Sequence, residues 1–241
     1  MIEIKNITKT FGKNFKAVDD LNLNIEEGYI YGFLGPNGAG KTTTLKMITG
    51  IIRADEGNIL INGYDIDKKP SEAKRQFGFV SDNPDLFLKL KGIEYLEFVG
   101  TVYDVNKAKL RENIFKYSKM FEMNEVLNNR IESYSHGMRQ KIAIIGALIH
   151  EPKVLILDEP LTGLDPKSSF VLKELMREYA NNGNVVLFST HVLEVAEKVC
   201  DKVAIIAKGK LLFNGSIKEM KEKVGEDESL EKMFLELVEN E

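Results

Sequence analysis

Gly35-Pro36-Asn37-Gly38-Ala39-Gly40-Lys41-Thr42 meets the pattern G-x-x-x-x-G-K-[ST] at every fixed position, and no other stretch restricts the fold of this chain as much. It follows an apolar, strand-like run, Tyr29-Ile30-Tyr31-Gly32-Phe33-Leu34, and opens a helix-like one from Thr42 to Ile48. A strand that turns at once into a helix through glycines commits the chain to an α/β fold. In such a turn the backbone N–H groups and the positive end of the helix hold phosphate oxygens, the Lys41 ammonium serves the terminal phosphates, and the Thr42 hydroxyl suits Mg²⁺. At ordinary residue usage a chain of this length matches the four fixed positions by accident about one time in a hundred. The pattern therefore indicates a nucleoside triphosphate site, one that kinases, GTPases, motors, helicases and transporters all use.

Size and charge narrow the choice. The 241 residues, 43% of them hydrophobic, suffice for one large domain, with or without an inserted subdomain. The single Cys200 leaves no disulfide scaffold and reads as a small buried side chain in a reducing compartment. Met1-Ile2-Glu3-Ile4-Lys5 alternates like a strand and lacks the regions of a signal peptide. The longest apolar run, Ile142 to Ile149, has eight residues, less than half of a bilayer span. A cytoplasmic protein is predicted, one that reaches a membrane only through a partner. With 33 basic and 37 acidic residues, net −4, the chain lacks the basic footprint of a nucleic-acid binder.

Periodicity changes twice along the chain. Ile2 to Ile7, Leu21 to Ile25 and the run into Gly35 read as strands, and Asn62-Gly63 is a tight-turn signal after Asn58-Ile59-Leu60-Ile61, so the opening reads as partly antiparallel. From Leu86 to Ile149 apolar residues recur at helical spacing (Leu96, Val99, Val102, Tyr103; Phe115, Tyr117, Met120, Phe121) without proline, which predicts an inserted helical subdomain. Then Val154-Leu155-Ile156-Leu157, Val185-Val186-Leu187-Phe188 and Val203-Ala204-Ile205-Ile206 are continuous apolar runs suited to central parallel strands. Asp165-Pro166 reads as a helix start and Gly183 as its end; Ser216 and Glu219 have capping-box spacing before an apolar stripe at Leu230, Met233, Phe234 and Leu237.

Three further segments carry chemistry. Asp158-Glu159 ends the Val154 strand, where ligands of parallel sheets gather; Asp158 is placed for hydrated Mg²⁺ and Glu159 for a general base. Alone, such a pair is as often a plain strand terminus. Phe188-Ser189-Thr190-His191 puts one of only three histidines at another strand end, a candidate contact to the terminal phosphate. Tyr134-Ser135-His136-Gly137-Met138-Arg139-Gln140-Lys141 precedes an apolar helix; Ser135 reads as its cap. A serine, a glycine and a helix N-terminus also form a second anion-binding device, and one nucleotide does not need two.

The order of these segments, over essentially the whole chain, resembles the ATP-binding cassette (ABC) family. Gly35 to Thr42 is similar to its Walker A loop, Tyr134 to Gln140 to its signature motif, Leu155 to Glu159 to its Walker B strand, Leu164-Asp165 to its D-loop, and His191 to its switch histidine. The resemblance implies an α/β P-loop NTPase core with a mixed, largely parallel central sheet, an N-terminal antiparallel β-subdomain and an inserted helical subdomain. Residues 1–85 and 150–215 would form the RecA-like core, 86–149 the helical signature subdomain and 216–241 a helical tail. It implies ATP and Mg²⁺ as cofactors. Phe11 would stack on adenine, and Gly35, Asn37, Gly38, Gly40, Lys41, Thr42 and Thr43 would surround the phosphates. Ser135 and Gly137 would close on the nucleotide of a second subunit. Glu159, His191 and Lys41 would be catalytic; Thr42, Asp158 and Asp82 would serve the metal.

The implied assembly is a head-to-tail dimer, of two copies or of paralogues, which drives an integral membrane permease from the cytoplasmic face. The look of the signature and the short tail favour an exporter. The alternative is a soluble cassette ATPase acting on ribosomes or DNA, but this chain has one cassette, no zinc module and an acidic balance. A GTPase or small-molecule kinase leaves the signature and His191 unexplained. Two positions depart from the family pattern: His136 stands where glycine is common, and Asp82, in Gly78-Phe79-Val80-Ser81-Asp82-Asn83-Pro84, where the Q-loop usually has glutamine. An ionised aspartate reaches Mg²⁺ through water but donates no hydrogen bond. If Lys41 serves the terminal phosphates, Lys41→Ala weakens ATP binding about tenfold or more; equilibrium titration with a fluorescent ATP analogue checks this, and full affinity would refute the assignment.

Overall fold

A strand that is apolar at every position needs cover on both faces, and that need organises the core. The computed structural model describes residues 1–12, 14–85, 87–224, 231, 232, 234 and 235. In chain order they form β1 (Ile2–Phe11), β2 (Phe15–Ile25), β3 (Ile30–Leu34), α1 (Lys41–Ile48), β4 (Glu56–Ile61), β5 (Tyr64–Asp65), α2 (Pro70–Lys74), β6 (Phe77–Val80), α3 (Gly92–Val102), α4 (Lys107–Met120), α5 (His136–Leu148), β7 (Val154–Asp158), α6 (Pro166–Asn181), β8 (Val185–Thr190), α7 (Leu193–Val199), β9 (Lys202–Ala207), β10 (Lys210–Ser216) and α8 (Ile217–Val224). One sheet is antiparallel, in the order β2-β1-β4-β5; the other runs β10-β9-β3-β8-β7-β6. In the second, β10 is antiparallel to β9 and every other pairing is parallel.

Alternation explains why the central runs carry no polar face. Ile30, Leu34, Leu155 and Leu157 pack into a cluster with side chains of α3, α4, α5 and α6. Their neighbours Tyr31, Phe33, Val154 and Ile156 pack on the other side with β1, β2, β4 and α1. All five residues of β3 and all five of β7 are buried. Shortening Leu155 or Leu157 to Ala would cost about 2–5 kcal/mol.

The expected antiparallel opening is present, and Asn62-Gly63 turns β4 into β5 through the pairs Leu60↔Asp65 and Ile61↔Tyr64. Asp165 caps α6 with Pro166 in its first turn, and Gly183, at φ +78°, follows its C-cap Asn182. The Ser216–Glu219 box forms: the Ser216 N–H donates to Glu219 Oε2 (2.6 Å) and the Glu219 N–H to Ser216 Oγ (3.1 Å). Of the expected tail stripe, Phe234 packs against the helical-side cluster, while Leu230, Met233 and Leu237 lie outside the described residues. Two members of the helical stripe go elsewhere. Val102 is 56% and Phe115 65% exposed, because α3 and α4 turn those positions away from the core that takes Leu96, Tyr117 and Phe121. β6, four residues long, is too short to show a period in sequence, yet it forms the edge of the parallel sheet.

Two polar joints hold the layers in place. At the start of β3 the Ile30 N–H donates to Asp201 Oδ2 (2.8 Å), and Arg177 Nη1 donates to both Asp201 oxygens (2.9 Å). Between α5 and β7, the His150 ring stacks on Tyr103 at 3.7 Å and its Nε2–H donates to the Phe77 carbonyl at 3.1 Å. This leaves His150 Nδ1 buried without a partner. Burial pushes the imidazole down to about 4, against the opposing pull of the Phe77 carbonyl. A histidine with a depressed folded pKa stabilises the fold only above its ordinary pKa, and that contribution is lost as pH falls from 6.5 through about 4. The loss between pH 7 and pH 5 is about 2 kcal/mol. Denaturant titrations at the two pH values should show this drop in the unaltered chain and its absence in His150→Phe, which keeps the stack and cannot titrate.

Candidate nucleotide-binding site

The parallel register gathers the chemistry at one edge of the sheet. β8 lies between β3 and β7, pairing Leu34 with Thr190 and Asp158 with Ser189. β6 ends with Val80 opposite Leu157, so Asp82 emerges at the same edge. Beyond these ends is a cavity of about 450 Å³ lined by Phe11, Phe15, Ala17, Pro36 through Thr43, Asp82, Glu159, Thr162 and His191. The volume falls in the range of small-molecule sites.

Its floor is the turn from Pro36 to Gly40, and Gly35, just before it, is not among the walls. Gly40, the N-cap of α1, has φ +109°, and a β-carbon there would sit 2.4 Å from the Ala17 carbonyl oxygen; only glycine fits. The first α1 hydrogen bond is from the Thr44 N–H to Gly40 O at 2.8 Å, so the N–H groups of Lys41, Thr42 and Thr43 precede the helical ladder, a place suited to an anion. Lys41 Nζ donates to the carbonyls of Gly35 (2.6 Å) and Pro36 (3.2 Å). Burial lowers the Lys41 pKa from its ordinary value, and the charges of Glu159 and Asp158 oppose that shift.

Asp158 lies behind the cavity, 1% exposed. Its Oδ1 accepts from Ser189 Oγ at 2.5 Å, and Ser189 Oγ in turn accepts the Glu159 N–H at 3.1 Å. Burial pushes the carboxyl up from the ordinary aspartate value, the Ser189 and Thr42 hydroxyls pull it down, and the charges of Asp82 and Glu159 add to the rise. No hydrogen bond of ordinary geometry reaches Oδ2, which is buried without a partner. Glu159 sits at φ +48°, a conformation bulky residues rarely adopt and one that clusters at functional sites. The turn aims its carboxylate at His191, whose Nδ1–H donates to Glu159 Oε1 at 2.9 Å.

Charge around the cavity tests the fit to a metal. Among the described residues, Asp82, Asp158 and Glu159 face one ammonium, Lys41, so a polyphosphate entering here would be served by a further cation. The orphaned Asp158 Oδ2, the Thr42 hydroxyl and Asp82 are hard oxygen donors of the kind Mg²⁺ prefers. Among the described residues no group of three or more His, Cys, Asp or Glu side chains forms a ready-made metal cage. That matches Mg²⁺, which is held by one or two carboxylates and the substrate phosphates.

Of the residues singled out in sequence, the cavity brings together Phe11, Asn37, Gly38, Gly40, Lys41, Thr42, Thr43, Asp82, Glu159 and His191. Ser135 and Gly137 are not among its walls. Ser135 caps α5, its Oγ accepting the Met138 N–H at 3.3 Å. Gly137 lies against the loop after β7: a β-carbon on it would meet the Gly163 carbonyl oxygen at 2.7 Å. Asp165 is held ionised well below the ordinary aspartate range by the Ser168 hydroxyl and N–H and by Lys141, 3.0 Å away. Sequence reasoning missed Ser189 and Phe15. Phe15 pairs with Phe11 across the β1–β2 hairpin and is 63% exposed; aromatics flanking Gly12 and Asn14 were its signal. For Ser189 the only signal was its place in Ser-Thr-His, and the contact to Asp158 requires the register.

Comparison with known proteins follows the same lines. The family model described as ABC transporter matches residues 18–162. The chain is 36% identical over 226 residues to the ABC transporter ATP-binding protein NatA of Bacillus subtilis (strain 168), covering 92% of each. It is 34% identical over 227 residues to the linearmycin resistance ATP-binding protein LnrL of the same organism, covering 94% of this chain and 73% of that one. A dimeric structure of the ATP-binding cassette MJ0796, in a post-hydrolysis state bound to ADP and Pi, matches with a TM-score of 0.81 and 26% identity, over 90% of this chain and 99% of that one. Ser189→Ala would remove the hydrogen bond that Asp158 Oδ1 accepts, costing about 1–3 kcal/mol, and, if Asp158 serves the metal, should raise the Mg²⁺ concentration needed for half-maximal turnover. Melting curves and Mg²⁺ titrations check the two effects, and an unchanged Mg²⁺ requirement would separate Ser189 from the metal.

Proposed function

Because the chain belongs to the ABC transporter family and is an ATP-binding ATPase subunit of it, we propose that it powers a separate membrane permease, as an exporter, by ATP-driven dimerisation. One observation carries this reading. Lys41, Asp82, Glu159 and His191 meet in a single cavity, while Ser135 and Gly137 stand outside it. One subunit thus supplies the phosphate cradle and the base, and its signature segment is left to complete the site of a second subunit.

Phe11, with Phe15 opposite, receives the adenine, and the Gly35–Thr43 turn receives the phosphates. Thr42, Asp158 and Asp82 would hold Mg²⁺, which would supply positive charge to the phosphates. Glu159, its carboxylate steadied by His191 Nδ1–H, takes a proton from the attacking water as its oxygen bonds the γ-phosphorus and the bond to ADP breaks. The His191 side chain, 54% exposed, lines the cavity and would approach the γ-phosphate. Ser135 and Gly137 of the second subunit close the site, and loss of phosphate reopens it.

No helix among the described residues is long and apolar enough to cross a membrane; on this reading a partner crosses it, and the protein would work at the cytoplasmic face. Exposed aromatics just past Asp82 support such a partner. Phe87 and Phe98 are each 47% exposed, with ring centroids 5.5 Å apart, a patch that water alone rarely covers. The resistance function in LnrL's name favours export. We divide the chain into an ATP-binding core (1–85 and 150–215), a helical segment (86–149) that moves with the signature, and a tail (216–241). Glu159→Gln should lower kcat about a hundredfold or more and let an ATP-bound dimer accumulate, read by phosphate release and size-exclusion chromatography. Normal turnover by that variant would remove Glu159 as the base.

A further inference from the structure

α4 carries a positive charge that the chain as a whole does not share. Five of its 14 residues, Lys107, Lys109, Arg111, Lys116 and Lys119, are basic and only Glu112 is acidic, in a chain of net charge −4. The helix buries Leu110, Asn113, Ile114, Tyr117 and Ser118, and a 3.6-residue period then fixes what the opposite face presents. Lys107, Arg111, Phe115 and Lys119, spaced four residues apart, form a stripe of roughly 18 Å along that face, and all four are exposed.

Phe115 stands within this stripe, 65% exposed. A single exposed apolar side chain is ordinary on a protein surface, but this one has a cation one turn before it and another one turn after. Lys119 Nζ lies 5.9 Å from the centroid of the Phe115 ring. Of the five cations only Lys109 is in an ion pair among the described residues, with Glu112 (3.5 Å) and Glu151 (3.1 Å). Glu97 and Asp104 share a cavity with Lys107 and Arg111, but Asp104 is paired with Arg75 at 2.6 Å. Uncommitted cations on long apolar stems, set around one aromatic ring, suit a surface that is anionic outside and apolar just beneath. An anionic phospholipid leaflet offers both layers, whereas a soluble polyanion offers the charge alone.

We propose that the exposed face of α4 is a lipid-docking surface: Lys107, Arg111 and Lys119 meet the headgroups of anionic phospholipids, and Phe115 enters the interface between them. This goes beyond the transporter reading and does not need it, because no permease takes part in the contact. The chain has no tryptophan, so Phe115→Trp in the full chain places a single reporter on the face. With phosphatidylcholine vesicles rich in phosphatidylglycerol, its emission shifts to the blue and is quenched by brominated acyl chains; pure phosphatidylcholine leaves it unchanged. In sedimentation with the same anionic vesicles, Arg111→Glu with Lys119→Glu lowers partitioning of the otherwise unaltered chain about tenfold or more, and Phe115→Ser lowers it about threefold or more. Melting temperature and ATP hydrolysis stay essentially unchanged. Arg53→Glu with Lys68→Glu, an equal charge change at side chains 83% and 80% exposed elsewhere, lowers partitioning much less. An equal loss in that control, an emission that anionic vesicles do not shift, or an equal shift with pure phosphatidylcholine or soluble polyphosphate overturns the surface. The reporter keeps the test decisive should a charge variant melt early. An unaltered chain that binds the vesicles but hydrolyses no ATP overturns the transporter reading and leaves the lipid surface standing.

Discussion

The parallel hydrogen-bond ladder through β3, β8 and β7 is the constraint on which the rest depends. With β8 in the middle, Leu34, Thr190 and Asp158 end at one edge, and the residues that follow each strand are forced into one small volume. Gly35 to Lys41 lie more than a hundred residues before Glu159 and His191 in sequence, yet the three segments meet at the strand ends. The ladder holds because both faces are sealed by apolar clusters, so a slip of one residue would turn every buried side chain toward the wrong layer.

That rigidity lets the site keep features that are costly elsewhere. Asp158 is buried with Oδ1 bonded by Ser189, while among the described residues no hydrogen bond of ordinary geometry reaches Oδ2. Glu159 stands in a left-handed conformation, and Lys41 is buried enough to lower its pKa. Each is a local conflict of the sort natural sequences avoid unless function requires it. Ligand oxygens and a divalent cation would resolve the first and third together, which ties the energetics of binding to the groups that the fold leaves incompletely satisfied.

Much of this was legible from the chain alone. The glycine turn, the apolar runs and the cap residues Ser135, Asp165 and Ser216 are local signals, set by backbone conformation and by burial on two faces, and they fall where expected. Legibility failed where the deciding partner is distant. β6 is only four residues long, and its role as the sheet edge depends on pairing with β7. Val102 and Phe115 fit a helical period, but which part of a broad stripe is buried depends on how α3 and α4 tilt against the core. Ser189 and Phe15 join the site through pairing, with Asp158 in one case and Phe11 in the other.

By itself, then, the sequence determined the kinds of chemistry available: a phosphate cradle at Gly35 to Thr42, an acid pair at Asp158-Glu159, a histidine at a strand end and a capped helix at Ser135. These depend on residue type and on neighbours a few positions away. The tertiary structure alone decided which groups share a cavity. It joined His191 to Glu159 and buried Asp158 against Ser189, kept Ser135 and Gly137 apart from that cavity, and tied Asp85 to Arg139 across 54 residues. The reason is physical: register and packing are collective properties of the whole sheet, and no local stretch of chain carries them.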